Sequence, residues 1–200
     1  VRSVFVKSRG DVLCLFDVIF SVSGLVFGIV ILPLILIGNL IGNRGPLFYI
    51  QERIGKNGKP FKIVKLRSMV INAEANGAKW AQKNDLRVTA FGRFLRRSRI
   101  DEIPQFINVL KGDMSIIGPR PERPFFVNEL SRVIPFYETR NIIKPGLTGW
   151  AQVNTRYGSS VDDSLTKLQY DLYYIKHRSL FLDINIIVKT LSTILYYRGQ

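Results

Sequence analysis

The chain has 200 residues and a formal net charge of +14, a length that suits one domain with a buried core. Its single cysteine, Cys14, excludes an internal disulfide, and with a single histidine, His177, a His/Cys zinc site is excluded as well. Any bound metal must therefore rest on carboxylates, which favours Mg²⁺ or Mn²⁺. The charge is uneven: three bases and two acids precede Arg44, whereas 26 bases and 13 acids lie from Arg44 onward. Such a field attracts anionic lipid, nucleic acid or a phosphorylated substrate.

Residues 12–41 are almost wholly apolar, interrupted by Asp17, a few Ser and Gly, and Asn39. About 20 residues span a bilayer core, so the run is long enough to cross, and too long for a secretory signal core. Pro33 lies inside it and removes a helical donor. Both flanks are basic, with Arg2, Lys7 and Arg9 before and Arg44, Arg53 and Lys56 after, whereas a simple span collects its bases on one side. The pattern predicts a re-entrant membrane helix broken at Pro33 and occupying residues 1–43. A tilted span and a buried core helix stay open. Asp17 is expected near the interface or beside a base, because a free charge at mid-membrane is costly.

Residues 44–200 read as a second unit. Residues 47–50 and 61–66 have strand character, and Asn57-Gly58 between them suits a hairpin turn, since both residues tolerate positive φ. Lys62, Lys65 and Arg67 put cations on and just past the second strand, a pattern that a plain solvated strand face also produces. Residues 72–84 are polar and read as helix or loop; residues 91–99 read as a short basic helix. Ile103, Phe106, Ile107 and Leu110 recur at helical spacing, and Gly112 ends that helix. Pro104 fits only its first turn, so Asp101 and Glu102 fall at the N-terminus. There the helix dipole and neighbouring arginines are expected to keep both ionised. An ordinary Asp cap beside a Glu gives the same sequence. In Gly118-Pro119-Arg120-Pro121 two prolines fix the backbone around an arginine, whose planar fork suits phosphate. Residues 180–197 form a further amphipathic helix that packs on the core or lies in the membrane interface. The fold class predicted is α+β, mostly helical, with the apolar helix, a small β-hairpin and amphipathic interfacial helices.

Taken in order, several segments resemble the bacterial sugar transferase family, the monotopic phosphoglycosyl transferases. They are Gln51-Glu-Arg-Ile-Gly55, residues 61–69, Arg99-Ile-Asp-Glu-Ile-Pro-Gln105, residues 108–115, Gly118-Pro-Arg-Pro121, residues 145–154 and Asp171-Leu-Tyr-Tyr174. The resemblance implies transfer of a sugar-1-phosphate from a UDP-sugar to polyprenyl (undecaprenyl) phosphate with release of UMP. It implies Mg²⁺, with Mn²⁺ possible, and a place on the cytoplasmic face of the bacterial inner (plasma) membrane, ahead of downstream glycosyltransferases. By motif, Asp101 resembles the nucleophile and Glu102 the metal ligand; Lys65, Arg96, Arg120 and Asp183 fall on active-site positions. Arg67 and Arg156 are further candidates for the substrate. Two departures stand out: Leu32 precedes Pro33 where some members have Ser, and Thr155 stands where many have Gly. The competing reading is a membrane-tethered basic module that binds anionic lipid or nucleic acid without chemistry. The sequence lacks the interleaved aromatics and glycines of an RNA-binding sheet, so no nucleic-acid partner is expected.

Overall fold

A computed structural model describes residues 2–75, 77, 80, 85–155 and 160–195, with side chains from residue 15 to residue 193. Helix α1 runs from Arg2 to Gly42. A hairpin follows, β1 (Phe48–Ile54) and β2 (Pro60–Leu66), paired antiparallel with Tyr49 opposite Lys65. Asn57 and Gly58 close it with φ of 56° and 74°, as the turn chemistry requires. After α2 (Ala90–Arg97), a 3-10 segment (Ile100–Gln105) leads directly into α3 (Phe106–Lys111). Gly112 ends α3 at φ 84°, the left-handed cap that favours glycine. Strand β3 (Ser115–Ile117), α4 (Pro124–Val133), a second 3-10 segment (Tyr137–Ile142) and β4 (Gly146–Thr148) follow. Helices α5 (Trp150–Asn154), α6 (Val161–His177) and α7 (Leu180–Leu195) complete the described chain. The architecture is mostly helical with two small sheets, in agreement with the predicted α+β class.

Helix α1 departs from expectation at Pro33, where it continues without interruption. A proline inside a helix costs about 3 kcal/mol. Here both halves are held laterally by the same body, which keeps them in one element. Asp17 Oδ1 accepts from the Ser115 hydroxyl at 3.0 Å and the Ile116 amide at 2.8 Å, both on β3, and Lys144 and Arg178 lie close enough to act on it electrostatically. Further along, Gly24 lies against the Phe106 ring, Gly28 against Ile103, and Gly38 and Gly42 against Phe91. Ser21, Ile35 and Asn39 are buried on the covered face. The opposite face is bare: Val22, Val26, Ile29, Val30, Leu34, Ile37 and Ile41 are all exposed. Within Leu15–Gly42 an 18-residue window reaches a mean hydropathy of 2.7, and the stretch meets the length and composition of a membrane-crossing helix.

The apolar stripe running from the 3-10 segment into α3 serves this contact, and its Phe106 also packs against the central core. Ile103 and Phe106 meet the glycines of α1, while Ile107 and Leu110 stay exposed. The core-facing positions are Asn108 and Val109. Asn108 accepts from the Val64 amide at 3.2 Å and donates to the Lys62 carbonyl at 2.8 Å, which fixes β2 against α3. Helix α7 behaves similarly: Leu182 and Ile186 are buried, whereas Leu180, Phe181, Ile184, Val188 and Leu191 are exposed.

Helix α2 approaches the segment just after β2 closely enough that a Cβ on Gly92 would collide with the Ser68 carbonyl. Since the obstacle is backbone, relief requires moving α2 itself. Gly92→Ala is expected to destabilise the protein by about 1–3 kcal/mol. Thermal unfolding of the purified protein in detergent checks this, and an unchanged midpoint would contradict the packing described.

Candidate active site

A cavity of about 320 Å³ lies between the hairpin, α2, the first 3-10 segment, the Arg120 loop and α4. Its lining carries ten Lys or Arg side chains and four Asp or Glu, so it is built for an anion. Asp101 and Glu102 lie on it, each 7% exposed. Neither caps a helix: both sit inside the 3-10 segment, which makes no side-chain cap. Arg99, just before it, takes a left-handed conformation at φ 59°, an uncommon one for a non-glycine residue.

Glu102 is the electrostatic centre. Its Oε1 accepts from Arg120 Nη2 at 2.7 Å and Lys65 Nζ at 3.1 Å, and its Oε2 from Arg99 Nη1 at 3.4 Å. Burial works to raise this carboxyl, but Arg120, Lys65 and Arg99 outweigh it and hold Glu102 well below the ordinary carboxylate range. Asp101 differs. Burial and the neighbouring Glu102 anion push it up to about 6, against the opposing pull of Lys65, Arg96 and Arg99. The two carboxyls, both expected to be ionised, therefore differ in degree: Glu102 is held low, whereas Asp101 is raised to a value still below neutral pH. Asp101 Oδ1 is buried with no hydrogen-bond partner among the described residues. Burial also lowers Lys65 to about 8, Glu102 opposing and Arg120 and Arg53 adding to the fall.

The other candidates separate into two groups. Arg96 lines the cavity and donates from Nε to Ser68 Oγ at 2.8 Å. Arg67 also borders it, but its donors are spent on the chain leaving α1. It bonds to the Pro46 carbonyl at 2.7 Å, the Met69 carbonyl at 3.0 Å, and both the side chain and the carbonyl of Asn43. That arrangement joins the end of β2 to the end of α1. Asp183, expected at the active site, does not line the cavity. It is buried at the α6–α7 junction, where Tyr174 Oη donates to its Oδ1 at 2.8 Å. Arg156 lies outside the described residues.

Sequence reasoning missed Tyr49, Gln51, Arg53, Arg99, Arg123 and Arg140, all on the cavity lining. A signal existed for three of them: Tyr49, Gln51 and Arg53 alternate along β1 and so share a face. Arg140 stands in the polar run Glu138-Thr-Arg-Asn141 with no local mark, and Arg123 is marked only by its place between Glu122 and Pro124. Arg123 grips Glu74 with both terminal nitrogens, at 2.9 and 3.0 Å.

No cluster of three or more His, Cys, Asp or Glu side chains among the described residues could hold a metal. The Asp101–Glu102 pair nonetheless suits Mg²⁺, which takes one or two carboxylates and completes its shell with water and phosphate. Asp101 Oδ1 lacks a partner, and Glu102 Oε2 has the 3.4 Å contact to Arg99 alone among the described contacts.

In metal-free protein, a carboxyl-carbon NMR titration is expected to show Asp101 with a midpoint at about 6. Glu102→Gln should lower it, because the adjacent anion is gone. Since the folded value lies above the unfolded one, Asp101 costs stability as pH rises through this range and none at low pH. An Asp101 midpoint at the ordinary aspartate value would contradict the burial and coupling described.

The match to known proteins covers the same residues. A family model described as "Bacterial sugar transferase" matches residues 11–197. A UDP-N-acetylgalactosamine-undecaprenyl-phosphate N-acetylgalactosaminephosphotransferase of Aeromonas hydrophila is 53% identical over 76% of the chain. A UDP-glucose:undecaprenyl-phosphate glucose-1-phosphate transferase of Xanthomonas campestris pv. campestris is 44% identical over 80%. An undecaprenyl-phosphate galactose phosphotransferase of Salmonella typhimurium is 36% identical over 98%. The chain spans 36%, 34% and 42% of these relatives' own lengths. The family match leaves only the two ends of the sequence outside it, and the chain belongs to the bacterial sugar transferase family.

Proposed function

We propose that the protein transfers a sugar-1-phosphate from a UDP-sugar to undecaprenyl phosphate and releases UMP. The observation that carries this reading is the pair of adjacent buried carboxylates in a cationic cavity. One is neutralised by Lys65, Arg99 and Arg120, and the other has an oxygen without a hydrogen-bond partner among the described residues. The relatives' names point to the same reaction class and differ in the sugar.

In this reading an Asp101 oxygen attacks the β-phosphorus of the donor. The bond from that phosphorus to the bridging oxygen breaks, and the electron pair leaves with UMP. A mixed anhydride of Asp101 and the sugar phosphate remains. A phosphate oxygen of the polyprenyl acceptor then attacks the same phosphorus, forming the diphosphate and restoring the carboxylate. Splitting one difficult transfer into two is the usual gain of a covalent nucleophile. An anion approaching a diphosphate needs compensating charge, and Lys65, Arg96, Arg99 and Arg120 supply it. Mg²⁺ held by Glu102, with Asp101 beside it, would add neutralisation of the diphosphate.

The acceptor explains the anchor. Its phosphate lies among lipid headgroups while its tail stays in the bilayer, so the cavity must be held at that depth. Helix α1 is covered by the catalytic body on one face from Asp17 to Gly42 and bare on the other. A helix so covered suits attachment from one side of the membrane better than a free crossing. The reading therefore keeps the protein on the cytoplasmic face of the plasma membrane, where UDP-sugars are available. The basic surface faces anionic lipid there, and downstream glycosyltransferases extend the product.

The test is to incubate the lipid-reconstituted protein with Mg²⁺, undecaprenyl phosphate and a panel of UDP-sugars, and to identify the nucleotide released. UMP is expected from at least one donor, lost on adding EDTA. Asp101→Asn and Glu102→Gln are each expected to cut the rate by at least about 1,000-fold. Release of UDP would contradict attack at phosphorus, and full activity of Asp101→Asn would remove its role as nucleophile.

A further inference from the structure

We infer that Arg140 and Asp171 are positioning residues for Arg120, acting through the backbone of its loop; the inference rests on the transfer reaction proposed above. Pro119 and Pro121 flank Arg120 and have no N–H, so this segment can be held mainly through its carbonyls. Four successive ones each accept a donor. Gly146 N bonds to Pro119 O at 2.9 Å, Arg140 Nη2 to Arg120 O at 3.0 Å, Arg53 Nη1 to Pro121 O at 3.1 Å and Ile54 N to Glu122 O at 2.8 Å. The second of these is centred on the arginine itself.

Arg140 is fixed in turn. Its Nη1 donates to Tyr137 Oη at 2.8 Å, and Nη2, which holds the Arg120 carbonyl, also pairs with Asp171 Oδ2 at 2.7 Å. All three side chains are buried, with Asp171 on α6 1% exposed. One guanidinium plane thus links α6 to the carbonyl of the residue whose own guanidinium lies 2.7 Å from Glu102. A buried ion pair is weak evidence for a stabilising role, because desolvation offsets its attraction. Its geometry here has a definite output, the orientation of Arg120. Lysine cannot reproduce it: an ammonium lacks the planar fork that meets Tyr137, Asp171 and the carbonyl together.

A double-mutant cycle on UMP release tests the inference. Displacing a charge-stabilising group by about 1 Å costs on the order of 100-fold, so Asp171→Asn and Arg140→Lys are each expected to lower kcat by about 10- to 100-fold. Added to Arg120→Ala, either should cost no more than about twofold further, because the group it positions is gone. Tyr137→Phe, which keeps the ring, repeats the cycle should the charged variants fail to fold, and thermal unfolding monitors each protein. Losses that multiply in the Arg120→Ala background would show that these residues act independently of Arg120, and would overturn the inference while leaving the transfer reaction standing. Wild-type protein that releases no UMP from any UDP-sugar would overturn the transfer reading, and this inference with it.

Discussion

The site depends on the neutralisation of Glu102. A buried carboxylate is costly unless it is paired and hydrogen-bonded. Here three cations arrive from three separate elements: Lys65 from β2, Arg99 from the edge of the 3-10 segment and Arg120 from the proline-bounded loop. With Glu102 satisfied, the same cations leave Asp101 close to positive charge, its Oδ1 without a hydrogen-bond partner among the described residues. Two adjacent carboxylates therefore take opposite characters, one held low by its cations and one raised by burial and its neighbour. That division makes Asp101 the better candidate for attack and Glu102 the better anchor for charge.

Each cation reaches Glu102 only because its backbone is held from elsewhere. Lys65 rides on β2, which Asn108 fixes to α3 through the Lys62 carbonyl and the Val64 amide. Arg120 sits in a loop whose Gly118 crosses β4 so tightly that a Cβ on Gly146 would collide with the Gly118 amide. Helix α1 joins the same framework, since Asp17 bonds to β3 and the rings of Phe91 and Phe106 fill the space left by its glycines. The apolar helix and the cavity are in this way parts of one packed body.

Much of this was legible in the sequence, for reasons that differ from residue to residue. The hairpin could be read because Asn57-Gly58 is chemically suited to positive φ. Lys65, Arg96, Asp101, Glu102 and Arg120 could be read because motif order identifies positions in the chain, and all five line the cavity. Motif order does not say which way a side chain points. Arg67 spends its donors on the exit of α1, and Asp183 meets Tyr174 across the α6–α7 junction. The stripe on α3 was legible as amphipathic, but the period of a helix does not name its partner, and that partner is α1. Pro33 was expected to break the long helix because local cost is all a sequence reveals; lateral packing on both halves overrides it. Arg140 and Asp171, 31 residues apart in sequence, meet only through the tertiary fold.

The most direct test of the central claim is intact-protein mass spectrometry after mixing the enzyme with Mg²⁺ and its UDP-sugar donor, with acceptor withheld. The account predicts a mass increase of one sugar phosphate, carried by the peptide that contains Asp101, with UMP released in equal amount. Adding undecaprenyl phosphate should then discharge it. UMP release that occurs only when the acceptor is present, with no adduct at any time, would contradict Asp101 as a covalent nucleophile.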